Sequence, residues 1–119
     1  MNPVNGPTTV QLDRATGAVV GMAVGNALGA GYAFEPRPAP ESVRLRGGGL
    51  GAYAAGEWVD DTAMALPLLQ VVASGMDPLS PQAQNTVAER WMQWRATTQD
   101  VAPIIDRVLQ AFDPTRPAQ

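Results

Sequence analysis

The sequence predicts an all-α fold, and three observations predict it. No stretch of strand length alternates apolar and polar residues with period two. Apolar residues recur instead at helical spacing, as in Ala83, Val87, Trp91 and Trp94. The punctuation is also helical: Ser80-Pro81 sets a capping residue before a proline at the first helical position, and Glu35-Pro36-Arg37-Pro38-Ala39-Pro40 stops whatever helix precedes it.

A chain of 119 residues is read as one domain, with a loose lead over residues 1–8, a helical body over 9–112 and a loose tail over 113–119. The first helix begins near Thr9, with Thr8 or Thr9 as cap. It carries Gly17, Gly21, Gly25 and Gly29, four residues apart, which make a slanting ridge without side chains. Each glycine costs a helix roughly 1 kcal/mol relative to alanine, so something must offset it. Close packing of a central, buried helix is one answer, and room for a ligand or a metal site is the other. After the prolines, the run Gly47-Gly48-Gly49-Leu50-Gly51 reads as a mobile loop leading to Trp58; it lacks the lysine and hydroxyl of a phosphate-binding loop.

The next helix, from about Asp60 to Ser74, is apolar nearly all round and is expected to be buried, with Pro67 kinking it. Gly75-Met76-Asp77-Pro78 closes it. A third helix follows Ser80-Pro81, its two tryptophans serving as core or interface anchors. A last helix is expected to be capped by Asp100, with Pro103 in its first turn and Val101, Ile104, Ile105, Val108 and Phe112 on its apolar face.

Composition removes several function classes. Apolar residues make up 45% of the chain and charged ones 16%, too hydrophobic a mixture for a disordered polymer. The net charge is -3, and the eight basic residues, all arginine, are scattered, so nucleic acid is not the expected partner. With no cysteine and no histidine, disulfides, thiolate chemistry, ordinary zinc sites and imidazole catalysis are excluded. The charge-free run from Ala15 to Phe34 is too rich in glycine and alanine for a membrane span, and the first residues lack a basic signal-peptide start. A cytoplasmic location is the default expectation.

What looks most like a site is Trp58-Val59-Asp60-Asp61-Thr62, two adjacent carboxylates and a hydroxyl at a helix mouth. Helix capping by Asp60 or Asp61 would account for it on its own. The wider pattern adds another reading. The run from Asp13 through Gly17, Gly21, Gly25-Asn26 and Gly29, then Tyr32 and Glu35, resembles the opening helix of the ADP-ribosylglycohydrolases, and Trp58-Val59-Asp60-Asp61-Thr62 resembles their second motif. The tryptophan helix followed by Asp100-Val101 is similar to a third. Order and spacing agree over roughly residues 12 to 105.

The resemblance implies an all-α fold with a binuclear magnesium centre that removes ADP-ribose from modified proteins or small acceptors. Carried over by position, it makes Asp60 and Asp61 metal ligands, Glu35 the acidic residue over the site, and Asp100 the acid near the substrate ribose. Three departures from the family pattern weigh against catalysis. Val59 stands where the family has a threonine hydroxyl, Asn26 stands where it has an aspartate, and the further aspartate and threonine ligands of a C-terminal helix have no counterpart after Asp106. The expectation is therefore a truncated, catalytically inactive relative acting as a binding or interaction module, holding magnesium weakly or not at all. Its expected partners are a second copy or another protein, with ADP-ribose or an ADP-ribosylated protein as ligand. The alternative is a magnesium-dependent hydrolase completed by another subunit or a separately encoded half.

Overall fold

Thr8 opens the first helix as the sequence predicts. Its backbone is extended, and a capping box ties it to Gln11: Gln11 N–H donates to Thr8 Oγ1 at 3.3 Å, and Thr8 N–H donates to Gln11 Oε1 at 2.8 Å. The computed structural model describes residues 6–98 and 101–112, so Asp100 and the expected tail lie outside the described residues. Four helices follow one another: α1 Thr9–Ala30, α2 Asp60–Ala73, α3 Pro81–Arg95 and α4 Pro103–Ala111, with a short 3-10 turn at Pro40–Ser42. Among the described residues there is no strand, only an isolated antiparallel bridge between Gly48 and Tyr53.

The helices pack in chain order, α1 on α2, α2 on α3 and α3 on α4. This makes a sheet of helices 55 × 40 × 18 Å in extent, one layer where most domains have two. The core is accordingly small. Val71 of α2 and Ala83 and Val87 of α3 are buried together, with Met76 and Trp91 packed against them. Trp91 Nε1 also donates to Met64 O at 2.9 Å, fixing α3 across α2 near Pro67.

Several expectations are corrected. α1 is not a buried central helix: only Ala27 and Ala30 are buried in it, Val20 and Val24 are more than half exposed, and a Cβ added at Gly17, Gly21, Gly25 or Gly29 would meet nothing within 4 Å. The reason is that α1 touches α2 alone among the helices. α2 is likewise buried on one side only, through Thr62, Pro67 and Val71, with Leu68 and Val72 exposed. In α4 the N-cap is Ala102, Leu109 is the buried residue, and Ile104 and Val108 face outward.

The segment between α1 and α2 is tied down. α1 unwinds through Tyr32 and Ala33 to Phe34, which has a left-handed φ of 64°. Arg46 lies 4.2 Å from the centroid of the Tyr32 ring and donates from Nε to Gly31 O at 2.8 Å. Two glycines here permit close approach of the backbone: a Cβ at Gly31 would sit 2.5 Å from Arg46 O, and one at Gly49 2.4 Å from Ala30 O.

Candidate functional site

The mouth of α2 is organised from outside the helix. Val59 takes the N-cap position without a side-chain bond, so Asp60 and Asp61 fill the first turn and neither caps it. Asn26 of α1 holds the mouth instead. Its Oδ1 accepts from Val59 N–H at 2.8 Å and from Thr62 Oγ1 at 2.9 Å, while its Nδ2 donates to Asp61 Oδ2 at 3.1 Å. Thr62 is 1% exposed, and the bond to Asn26 satisfies a hydroxyl that would otherwise be costly to bury.

A pocket of about 610 Å³ opens between this mouth and α1. Gly25, Asn26, Gly29 and Ala30 form one wall and Val59, Asp60 and Asp61 another; Phe34, Leu50 and Tyr53 make an apolar lip, and Ala102 and Pro103 border it from the start of α4. Two glycines of the ridge thus leave room for a ligand, as the second sequence reading allows. Among the described residues the two carboxylates are the charged groups of the lining, and they sit where the helix dipole favours negative charge.

The structure places the predicted residues in different regions. Asp60 and Asp61 share the pocket. Glu35 is exposed, forms an ion pair with Arg46, and lines a separate groove with Tyr32, Pro36, Pro38, Ser42, Arg44 and Arg46. Asp100 lies outside the described residues. Sequence reasoning missed Asn26 as the hub, having treated it only as a lost aspartate, and it missed the lip of Phe34, Leu50 and Tyr53. Asn26 did carry a signal: an amide inside a charge-free run needs partners when the run packs. The lip had none, because it joins residues from two sides of a loop.

The donors among the described residues do not by themselves fit a binuclear magnesium centre. Each magnesium ion demands near-octahedral oxygen ligands. Asn26 Oδ1 already accepts two hydrogen bonds, and the Thr62 hydroxyl is sealed against it. Among the described residues no group of three His, Cys, Asp or Glu side chains is placed to hold a metal. The two carboxylates suit one hydrated ion that keeps its waters or takes ligand oxygens.

A family model described as ADP-ribosylglycohydrolase matches residues 7–118. The chain is 48% identical over 63 residues to an ADP-ribosylarginine hydrolase Tri1 of Pseudomonas putida (strain GB-1), a match covering 53% of this chain and 17% of that protein. It is 44% identical over 64 residues to ADP-ribosylarginine hydrolase Tri1 of Serratia proteamaculans (strain 568), covering 54% and 18%. Among solved structures, an ADP-ribosylglycohydrolase-related protein complex superposes with a TM-score of 0.57 at 31% identity, over 86% of this chain and 35% of that chain. The matched region is therefore about a third or less of each relative's length.

Proposed function

The chain belongs to the ADP-ribosylglycohydrolase family, and from that premise we propose that it binds ADP-ribose, free or on a modified protein, at the Asp60–Asp61 helix mouth without hydrolysing it. The observation that carries this reading is the pocket itself: it sets two carboxylates opposite a bare glycine wall, yet gathers no third acid beside them among the described residues. Binding needs only the cavity and one cation between the carboxylates and the diphosphate. Hydrolysis needs an activated water and a stabilised ribosyl cation, and of the two further acids expected to help, Glu35 is paired with Arg46 in another groove, while Asp100 lies outside the described residues. The exposed face of α1 supports an interaction role, with a second copy or another protein as partner.

A second reading is favoured by the identity to ADP-ribosylarginine hydrolases and by the open side of the pocket. In it, another polypeptide completes the ligand set and the assembly is a magnesium-dependent hydrolase acting on ADP-ribosylated arginine.

Calorimetry with ADP-ribose and magnesium, paired with a mass-spectrometric assay on an ADP-ribosylarginine peptide, separates these readings. The expected result is magnesium-dependent binding of ADP-ribose, lost in Asp60→Ala, with the peptide left intact. Turnover by the chain alone would overturn the non-catalytic reading, and an absence of heat with either ligand would overturn the binding site.

A further inference from the structure

α4 is held to the rest of the chain along one side only. Leu109 is its buried residue, and Asp106 ties its polar side to α3 by accepting from Arg95 Nε. Among the helices it packs on α3 and not on α2, so a groove of about 130 Å³ stays open between α2 and α4. Met64 stands on one side of this groove and Ile104, Ile105 and Val108 on the other, with Trp91 of α3 between them. The indole N–H is already spent on Met64 O at 2.9 Å, so these side chains present apolar surface alone. That surface runs on past the groove. Met64, Leu68 and Val72 follow one another every four residues along α2, as Ile104 and Val108 do along α4, and Leu68, Val72, Ile104 and Val108 are all exposed. A helix of nine residues does not persist on its own in water, and covering Ile104 and Val108 would secure it.

We propose that this face is the contact between two copies of the chain, related by a twofold axis that sets their α2 helices antiparallel across Leu68. The interface rests on the interaction role given above, for which it names the face and the partner; the ADP-ribose site stands or falls separately. Area and charge select a second copy. The accessible surface of 8713 Å² exceeds the roughly 6,200 Å² of a folded monomer of this mass by more than the roughly 800 Å² that each partner buries in a stable dimer. With a net charge of -3, two copies repel unless they meet where neither is charged, and among the described residues no charged side chain lines this groove. Charge also sets the direction. Asp61 lies three residues before Met64, at the start of the same helix. Parallel α2 helices would bring Asp60 and Asp61 of both copies together, whereas antiparallel helices hold them at opposite ends and bring the partner's Val72 over Met64 and the groove.

The chain contains no cysteine, so single introduced cysteines and a short bis-maleimide report the contact directly. Leu68→Cys is expected to crosslink to itself, Met64→Cys mixed with Val72→Cys to give mainly the mixed dimer, and Val20→Cys on the exposed face of α1 to stay unlinked. In sedimentation equilibrium Leu68→Glu and Val108→Glu, both at exposed positions, should weaken the wild-type dimer about tenfold or more, with helix content by circular dichroism unchanged. Should either unfold the chain, the cysteine variants carry the test. A wild type that stays monomeric over a hundredfold range of concentration would overturn the interface and the second copy as partner. A dimer broken by Val20→Glu and not by Leu68→Glu would overturn this face and keep the interaction role. Self-linking of Met64→Cys and of Val72→Cys in preference to the mixed product would overturn the antiparallel arrangement.

Discussion

Asn26 shows how much one residue can organise. Its carboxamide accepts from Val59 N–H and Thr62 Oγ1 and donates to Asp61, joining α1 to the mouth of α2. Asn26→Ala would leave Thr62 buried without a partner, and urea denaturation should show a loss of about 1–3 kcal/mol. Asn26→Asp tests the metal question from the protein's side. A carboxylate there would replace a donor facing Asp61 Oδ2 with a like charge, so the variant should unfold at lower urea than wild type, and magnesium should restore part of the loss. If magnesium left the two midpoints equally far apart, cation binding between these residues would be ruled out. Phe34→Gly should act in the opposite direction on stability, gaining about 1 kcal/mol by relieving the left-handed backbone while losing the ring.

At the scale of the element, local signals were legible wherever a helix end is decided by its own residues. Thr8 caps α1, and Ser80 caps α3 ahead of Pro81 by accepting from Ala83 N–H at 3.2 Å. Gly75, with φ of 79°, follows the end of α2. Ser80→Ala should therefore cost about 1 kcal/mol in thermal unfolding. The mouth of α2 was misread because its support comes from α1, 33 residues earlier in the chain. The close-packed reading of the glycine ridge failed for a related reason: spacing reveals a bare face but not whether anything covers it. Since a Cβ at Gly17 or Gly21 meets nothing within 4 Å, the double change to alanine should stabilise the chain alone by about 1–2 kcal/mol, read as a raised melting temperature. A fall would mean that the ridge is packed against another surface in solution.

For the whole molecule the governing fact is the single layer. The radius of gyration is 17.4 Å, against about 13–14 Å for a compact domain of this length. The accessible surface of 8713 Å² exceeds the roughly 6,200 Å² expected for a folded monomer of this mass. Val20, Val24, Leu68, Val72, Ile104 and Val108 are all exposed, and apolar surface on that scale marks association. Sedimentation and melting over a hundredfold concentration range should show self-association with a concentration-dependent melting temperature. A concentration-independent monomer would sink self-association. Among the described residues no helix is long and apolar enough to cross a membrane, in keeping with the glycine and alanine content of α1.

The sequence by itself determined the all-α class, the order of the helices, the caps of α1 and α3 and the family, because each rests on nearby residues: period, capping chemistry and motif spacing. It also marked Asp60 and Asp61 as the residues to watch. Only the tertiary structure decided that Asn26 holds the α2 mouth, that Glu35 is drawn to Arg46 in another groove, that Phe34 and Tyr53 share a lip, and that the glycine ridge is open. Those facts depend on which elements meet. That is fixed by the burial a chain can achieve in three dimensions, and here one layer of helices leaves much of the predicted core facing outward.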